Sequence, residues 1–245
     1  MTMTNRGSAR GRPRRSSRLE IEQRAIGLFL RDGYSSTSIE AIAVACGISK
    51  TTYFRYYKSK SELVWWVFDE YIRATEDALN SADLQLPVMA AIRQAVMEAT
   101  GGVADDEGTW MKRFELLDTT PELRDGEAAH WQAWGEAISR YVAARTGSRA
   151  TDVVPAAVGG ALQAAYLAGF RESSATGESS TQTLARLDAT FALISQPLQA
   201  WINLEQAEPA QMCRHPLVGS TTGPREIESS GGVGPRLRSQ DQHTS

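Results

Sequence analysis

Apolar side chains return at helical spacing along most of the 245 residues. Ile21, Ala25, Leu28 and Phe29 fall at i, i+4, i+7 and i+8, one face of a helix that begins near Arg18 and stops at Gly33. Ile39, Ile42, Ala43 and Cys46 repeat the pattern at i, i+3, i+4 and i+7. This second helix is expected to open at Thr37, because Thr37-Ser38-Ile39-Glu40 has capping-box spacing. Gly47 then supplies a left-handed residue that closes the helix, and Ile48 turns inward behind it. Ser49 is a fresh N-cap for a short helix running to about Tyr57. Ser59-Lys60-Ser61-Glu62 is a second capping box and opens a long helix to about Ser81.

Further helices are expected over 87–100, 106–117, 121–146, 155–172 and 181–202, with prolines at or near several starts, where a missing N–H costs nothing. Pro197 should kink or shorten the last of them. No stretch reads as a strand and no internal repeat is visible, so the fold class is all-α. Residues 1–17 and 208–245 are rich in Arg, Ser, Gly, Pro and Thr. They read as a disordered basic arm and a disordered tail. Between them the chain divides into a three-helix unit at 18–64 and a larger helical unit at 65–207.

Charge sharpens this division. Residues 1–60 carry twelve Lys/Arg against four Asp/Glu, a surplus of eight positive charges, while the whole chain stands at −3. The remainder therefore carries −11. A basic head on an acidic body is an electrostatic footprint for nucleic acid at one end only.

Composition excludes several classes. Cys46 and Cys213 cannot build a disulfide framework, and with His130, His215 and His243 they have no zinc-site spacing. A reduced, cytoplasmic protein with no structural metal and no cofactor is expected. The polar, arginine-rich start has no signal-peptide pattern. Residues 153–170 lack charge but are rich in Ala and Gly, which suits a buried helix better than a membrane span. There is no Gly-rich phosphate loop, Cys/His pair or nucleophile elbow, and Asp105-Asp106-Glu107 reads as a solvated loop, so no enzyme is expected.

Two short capped helices joined by a glycine turn follow the helix-turn-helix plan, in which the first braces the second and the second faces the major groove. Ile48, Tyr53 and Tyr57 are candidates for the inner side of the second helix. Lys50, Thr51, Thr52, Arg55 and Tyr56 are left for DNA. Thr and Lys near the helix start can reach base edges, while Tyr56, Lys60 and the helix N-terminus at Lys60 suit phosphates. Arg10 and Arg12, in Arg10-Gly11-Arg12-Pro13, suit either a minor-groove hook or a tail of general affinity.

The run Ile48-Ser49-Lys50-Thr51-Thr52-Tyr53-Phe54-Arg55-Tyr56-Tyr57-Lys58-Ser59-Lys60-Ser61-Glu62-Leu63 closely resembles the tetracycline-repressor family. Ala25, Leu28-Phe29, Gly33-Tyr34, Thr37-Ser38-Ile39 and Ile42-Ala43 agree with that family upstream. The resemblance implies DNA contacts from Thr37 and Ser38, base contacts from Lys50, Thr51 and Thr52, and backbone contacts from Tyr56 and Lys60. Phe54 departs from the family, which usually has a phosphate-binding tyrosine there; a phenylalanine is left to pack or to touch a sugar.

Further segments resemble the family's mycofactocin-associated branch. These are Phe54 to Tyr57 with Val64-Trp65 and Phe68-Asp69, and Arg113 to Leu117 with Pro121 to Arg124, Trp134 and Val142 to Arg145. That resemblance implies an effector domain for an acyl-CoA-like ligand, and the family implies a homodimer formed by the last two helices. Small residues at Ala156, Ala157, Gly159, Gly160, Ala161, Ala164 and Ala165, and the stripe Leu184, Leu187, Phe191, Ile194 and Leu198, suit such a pairing. Trp110, Phe114, Trp131, Trp134, Tyr166 and Phe170 are candidates either for an apolar ligand cavity or for ordinary core packing. The expectation is a repressor of a double-stranded operator, released by a small molecule. An enzyme built on the helical body and a constitutive DNA-binding activator are the alternatives.

Overall fold

The computed structural model describes residues 18–104 and 108–212. All regular structure among them is helical. The first three helices are α1 (Arg18–Asp32), α2 (Ile39–Ala45) and α3 (Lys50–Tyr56), followed by the long α4 (Lys60–Asn80). The body adds α5 (Val88–Val103), α6 (Thr109–Thr119), a 3-10 turn at Pro121–Leu123, α7 (Arg124–Thr146), α8 (Val153–Thr176) and α9 (Ser180–Met212).

Local chemistry sets most of the ends. Ser49 and Ser59 cap α3 and α4, their hydroxyls accepting from Thr52 N at 3.1 Å and Glu62 N at 3.0 Å. The Glu62 carboxylate in turn accepts from Lys58 N. After α2, Gly47 takes φ +65° while Ile48 N donates back to Ala43 O at 3.0 Å, the glycine-closed ending that satisfies the last carbonyls. Pro87 offers α5 no side-chain cap. Gln199 of α9 supplies one instead, accepting from Met89 N at 2.9 Å.

Several boundaries differ from expectation by a few residues, α8 for example running from Val153 to Thr176, and two of the differences have a clear cause. Ser38 caps α2 in place of Thr37, accepting from Ala41 N at 3.1 Å. The helix therefore starts one residue later, and Thr37 is buried with its hydroxyl donating to Gly33 O at 2.8 Å. The last helix runs through Pro197 to Met212. Pro197 lies on the exposed side, so the carbonyl it deprives of a partner can be satisfied by water.

α8 is long and apolar enough to cross a membrane. Its Val154, Val158, Leu162, Tyr166 and Phe170 are nevertheless buried, and it packs against α6, α7 and α9. Its closest approach is to α7, where a Cβ on Gly159 would collide with Gly135 O and Ser139 Oγ. Arg93 of α5 makes a two-pronged bond to Asp188 of α9, at 2.7 and 2.6 Å. Of the stripe expected to pair two chains, Leu187 and Phe191 are buried in the protein's own core, while Leu184, Ile194 and Leu198 are half-buried. The outward face of α9 instead carries Leu193, 78% exposed, and Leu204, 67% exposed.

Candidate nucleic-acid interface and aromatic core

α3 is held from behind by two tyrosines. Tyr53 and Tyr57 are buried; Tyr53 OH donates to Ser59 O and Tyr57 OH to Arg18 O, each at 3.0 Å. Arg18 adds its guanidinium over the Tyr57 and Trp66 rings, 4.9 and 4.4 Å from their centroids. Burial pushes both phenols upward, so they remain neutral hydrogen-bond donors at physiological pH. The inner side expected from the sequence, Ile48, Tyr53 and Tyr57, does face the core.

The opposite side of α3 is open to solvent. Lys50, Thr51, Phe54 and Arg55 are exposed, while Thr52 and Tyr56 are half-buried. Thr52 Oγ1 lies 2.9 Å from the Ser49 hydroxyl, and Arg55 sits 5.1 Å from the Tyr56 ring centroid. Ser38 is exposed at the start of α2. Two expected contacts look elsewhere. Thr37 is turned inward, as its hydrogen bond requires. Lys60 spends its ammonium on Tyr34 O and Thr37 O, the latter at 3.1 Å, and lies 4.2 Å from the Tyr34 ring centroid. Partial burial holds this ammonium below the usual lysine range. It braces the loop before α2. Arg10 and Arg12 lie outside the described residues.

Sequence reading missed the carboxylate beside this surface. Glu40 of α2 pairs with Lys50, both side chains being solvent-exposed. The pair is weak because water competes for it, yet it puts a negative charge where phosphates would come. Glu40→Gln is expected to tighten binding to duplex DNA by roughly threefold, less so at high salt. Fluorescence anisotropy at two salt concentrations measures this; a loss of affinity would instead mark Glu40 as an acceptor for a base.

Behind this head, the six candidate aromatics form one cluster. Phe114 stacks on Phe170 at 4.8 Å, Tyr166 meets Phe170 at 4.7 Å and Trp134 at 5.2 Å, and Trp131 meets Tyr166 at 5.4 Å. Trp110 lies 5.9 Å from Phe114. Phe68 and Tyr71 of α4 complete it, 5.0 and 5.4 Å from Trp110. All are buried and pack ring against ring. A void of about 10 Å³ lies at its edge beside Trp110, Phe170 and Thr183, room for no more than one water.

Some polar atoms in the cluster are paired, while the Trp110 and Trp131 Nε1 groups are buried without a hydrogen-bond partner. Thr100 commits its proton to Val96 O at 2.6 Å and so accepts from Tyr71 OH at 3.2 Å. Trp134 Nε1 donates to Thr75 Oγ1 at 3.3 Å. Burial holds the Tyr71 and Tyr166 phenols well above their ordinary range.

Head and body meet through charge. Glu22 of α1 and Arg113 of α6 form an ion pair, with side chains 0% and 2% exposed. Burial pulls the Arg113 guanidinium down to about 9, so it remains a cation at neutral pH. On the same helix Trp110 and Phe114 enter the aromatic cluster, and Arg113 lies 5.4 Å from the Trp110 ring centroid. α6 thus touches the aromatic core and the DNA-binding head at once. Ser35, in the loop before α2, adds a bond to Glu122 near the start of α7.

A capped helix pair with one open reading face, mounted on a helical body with an aromatic core, defines a DNA-binding regulator with a separate regulatory domain. Comparison with known proteins narrows this. Residues 21–64 match the family of bacterial regulatory proteins, tetR family, and residues 86–199 match the MftR C-terminal domain. Over 148 residues the chain is 31% identical to the mycofactocin biosynthesis transcriptional regulator MftR of Mycobacterium tuberculosis, covering 60% of this chain and 75% of that one. It is 25% identical over 162 residues to the regulator EthR of Mycolicibacterium smegmatis, covering 63% and 73%. The fold is also like that of SmeT in its triclosan complex, with a TM-score of 0.52 at 19% identity, covering 72% of this chain and 90% of that one. The chain belongs to the TetR family, with an MftR-type C-terminal domain, and is a helix-turn-helix transcriptional regulator.

Proposed function

We propose that the protein is a dimeric repressor that leaves a palindromic operator when a small apolar ligand, or the apolar part of an acyl-CoA-like one, enters the aromatic cluster. The observation that carries this reading is the double attachment of α6, through Trp110 and Phe114 to the cluster and through Arg113 to Glu22 of the head. A ligand that parts the rings must displace α6, and α6 holds α1. Only a ligand with different affinities for the two arrangements can shift the balance between them. The cluster's single guanidinium is already paired, so a nucleotide headgroup with its phosphates would stay outside while an acyl chain took the place of ring contacts. The match of residues 86–199 to the MftR C-terminal domain supports this assignment.

Ser38, Lys50, Thr51, Thr52, Arg55 and Tyr56 form the DNA surface in this reading, with Arg10 and Arg12 as an arm. Two copies join through the outward faces of α8 and α9, where Ala156, Gly160, Ala164, Leu193 and Leu204 are exposed. Small residues there allow close helix approach, and the symmetry of a dimer matches that of a palindrome. The protein binds its ligand without turning it over, and it works in the cytoplasm beside its DNA.

The test titrates long-chain acyl-CoA and the free fatty acid into the full chain bound to its own promoter region. An inducer is expected to release DNA and, reciprocally, to bind the DNA complex more weakly. Leu193→Glu is expected to yield monomers in sedimentation that no longer prefer a palindrome over a half-site. Equal ligand affinity with and without DNA would sink the inducer reading; a dimeric Leu193→Glu would sink the interface.

A further inference from the structure

Phe54 is 45% exposed although it sits on a seven-residue helix whose inner side is fully packed. Its ring meets Tyr53 edge-on at 5.6 Å, so it leaves the core and leans along the outside of α3. Lys50, four residues earlier and one turn below, holds its ammonium 5.9 Å from the ring centroid. Thr51, three residues earlier, is exposed beside them. A large apolar ring is thus left nearly half in water, next to two groups suited to reading bases. Its chemistry limits what it can touch on DNA: it can neither donate nor accept a hydrogen bond, so a phosphate gains nothing from it. The apolar feature that the major groove offers is the thymine C5-methyl group.

We infer that Phe54 is a specificity residue that packs on a thymine methyl in each operator half-site. The inference rests on α3 being the DNA-reading helix. Register follows from helix geometry. Four residues advance about 6 Å along α3, and bases on one strand are about 3.4 Å apart. The thymine therefore lies about two base pairs or fewer from the base pair that Lys50 reads. Lys50 must leave Glu40 to do so, and its stem and the Phe54 ring then form one continuous ridge in the groove.

The experiment selects a preferred duplex from a random pool with the full chain, then replaces each thymine in turn by deoxyuridine, which removes only the methyl. For the native protein one position per half-site is expected to lose about fourfold in affinity, the worth of burying one methyl group. Phe54→Ala should bind the unmodified duplex more weakly and show no loss at that position; Phe54→Leu should keep part of it. Because the side chain is exposed, these variants keep the core intact, and a thermal melt verifies it. Indifference to deoxyuridine at every thymine, with Phe54→Ala weakening all duplexes alike, would mean a sugar contact and overturn the inference. So would a methyl effect that survives in Phe54→Ala, which would assign the reading to another residue. Failure to select any duplex would instead overturn the DNA-reading role of α3, and this inference with it.

Discussion

Replacing Glu22 by alanine is expected to cost about 3–5 kcal/mol of unfolding free energy, among the largest single-residue effects in the protein. The carboxylate is 0% exposed and its partner Arg113 is 2% exposed. Removing the carboxylate would leave a guanidinium buried without a counter-ion. An arginine cannot escape by losing its proton at neutral pH, and α6 is too well packed to let it reach water without disturbing Trp110 and Phe114. Arg113→Ala should cost a similar amount from the other side.

The double replacement Glu22→Leu with Arg113→Met behaves differently. With both charges gone, the desolvation penalty goes too, and stability should return to within about 1–2 kcal/mol of the native chain or exceed it. Urea denaturation of the native chain, the two alanine variants and the double variant measures these differences. A Glu22→Ala loss below about 1 kcal/mol would show that water reaches the pair. The double variant also separates stability from signalling: it should fold and bind DNA while responding less to ligand, because a directional link between α1 and α6 has become a greasy contact.

Trp110→Ala is the second large effect, at about 3–5 kcal/mol. Trp110 touches Phe68, Tyr71, Phe114 and Phe170, and it borders the void of about 10 Å³. Deleting the indole would join that void to a new hole lined by rings. A cavity so lined stays dry and takes apolar guests. Indole or benzene added to Trp110→Ala should therefore raise its melting temperature with a concentration dependence set by simple binding, and should leave the native protein unchanged. A loss under about 1 kcal/mol, or no recovery with either guest, would mean that the core collapses around the gap.

What the sequence revealed followed how local each signal is. Ser49, Ser59 and Gly47 act within four residues of themselves, and the helix ends they predict are present. Tyr53 and Tyr57 were assigned inward by the period of a short helix, correctly. The cap of α2 slipped by one residue because Thr37 and Ser38 are both good caps, and the spacing to Glu40 favoured the wrong one.

Farther-reaching features were less legible. The six aromatics could be gathered from helical periodicity, but whether rings enclose a space or fill it depends on rotamers that a period does not encode. α9 carries apolar residues around much of its circumference, so its stripe could not distinguish the protein's own core, which receives Leu187 and Phe191, from a second copy facing Leu193 and Leu204. Glu22 and Arg113, 91 positions apart, belong to no shared motif. In the sequence Glu22 was simply one of four acids diluting a basic head.

The two tyrosine hydroxyls behind α3 have a consequence for control. They tie α3 to the backbone at Arg18 and at Ser59, so in the proposed reading the helix that meets the bases is held in its pose by the head itself. In the proposed dimer, release from the operator would then act on the span between two such helices, as opening a pair of dividers lifts both points off their marks without blunting either.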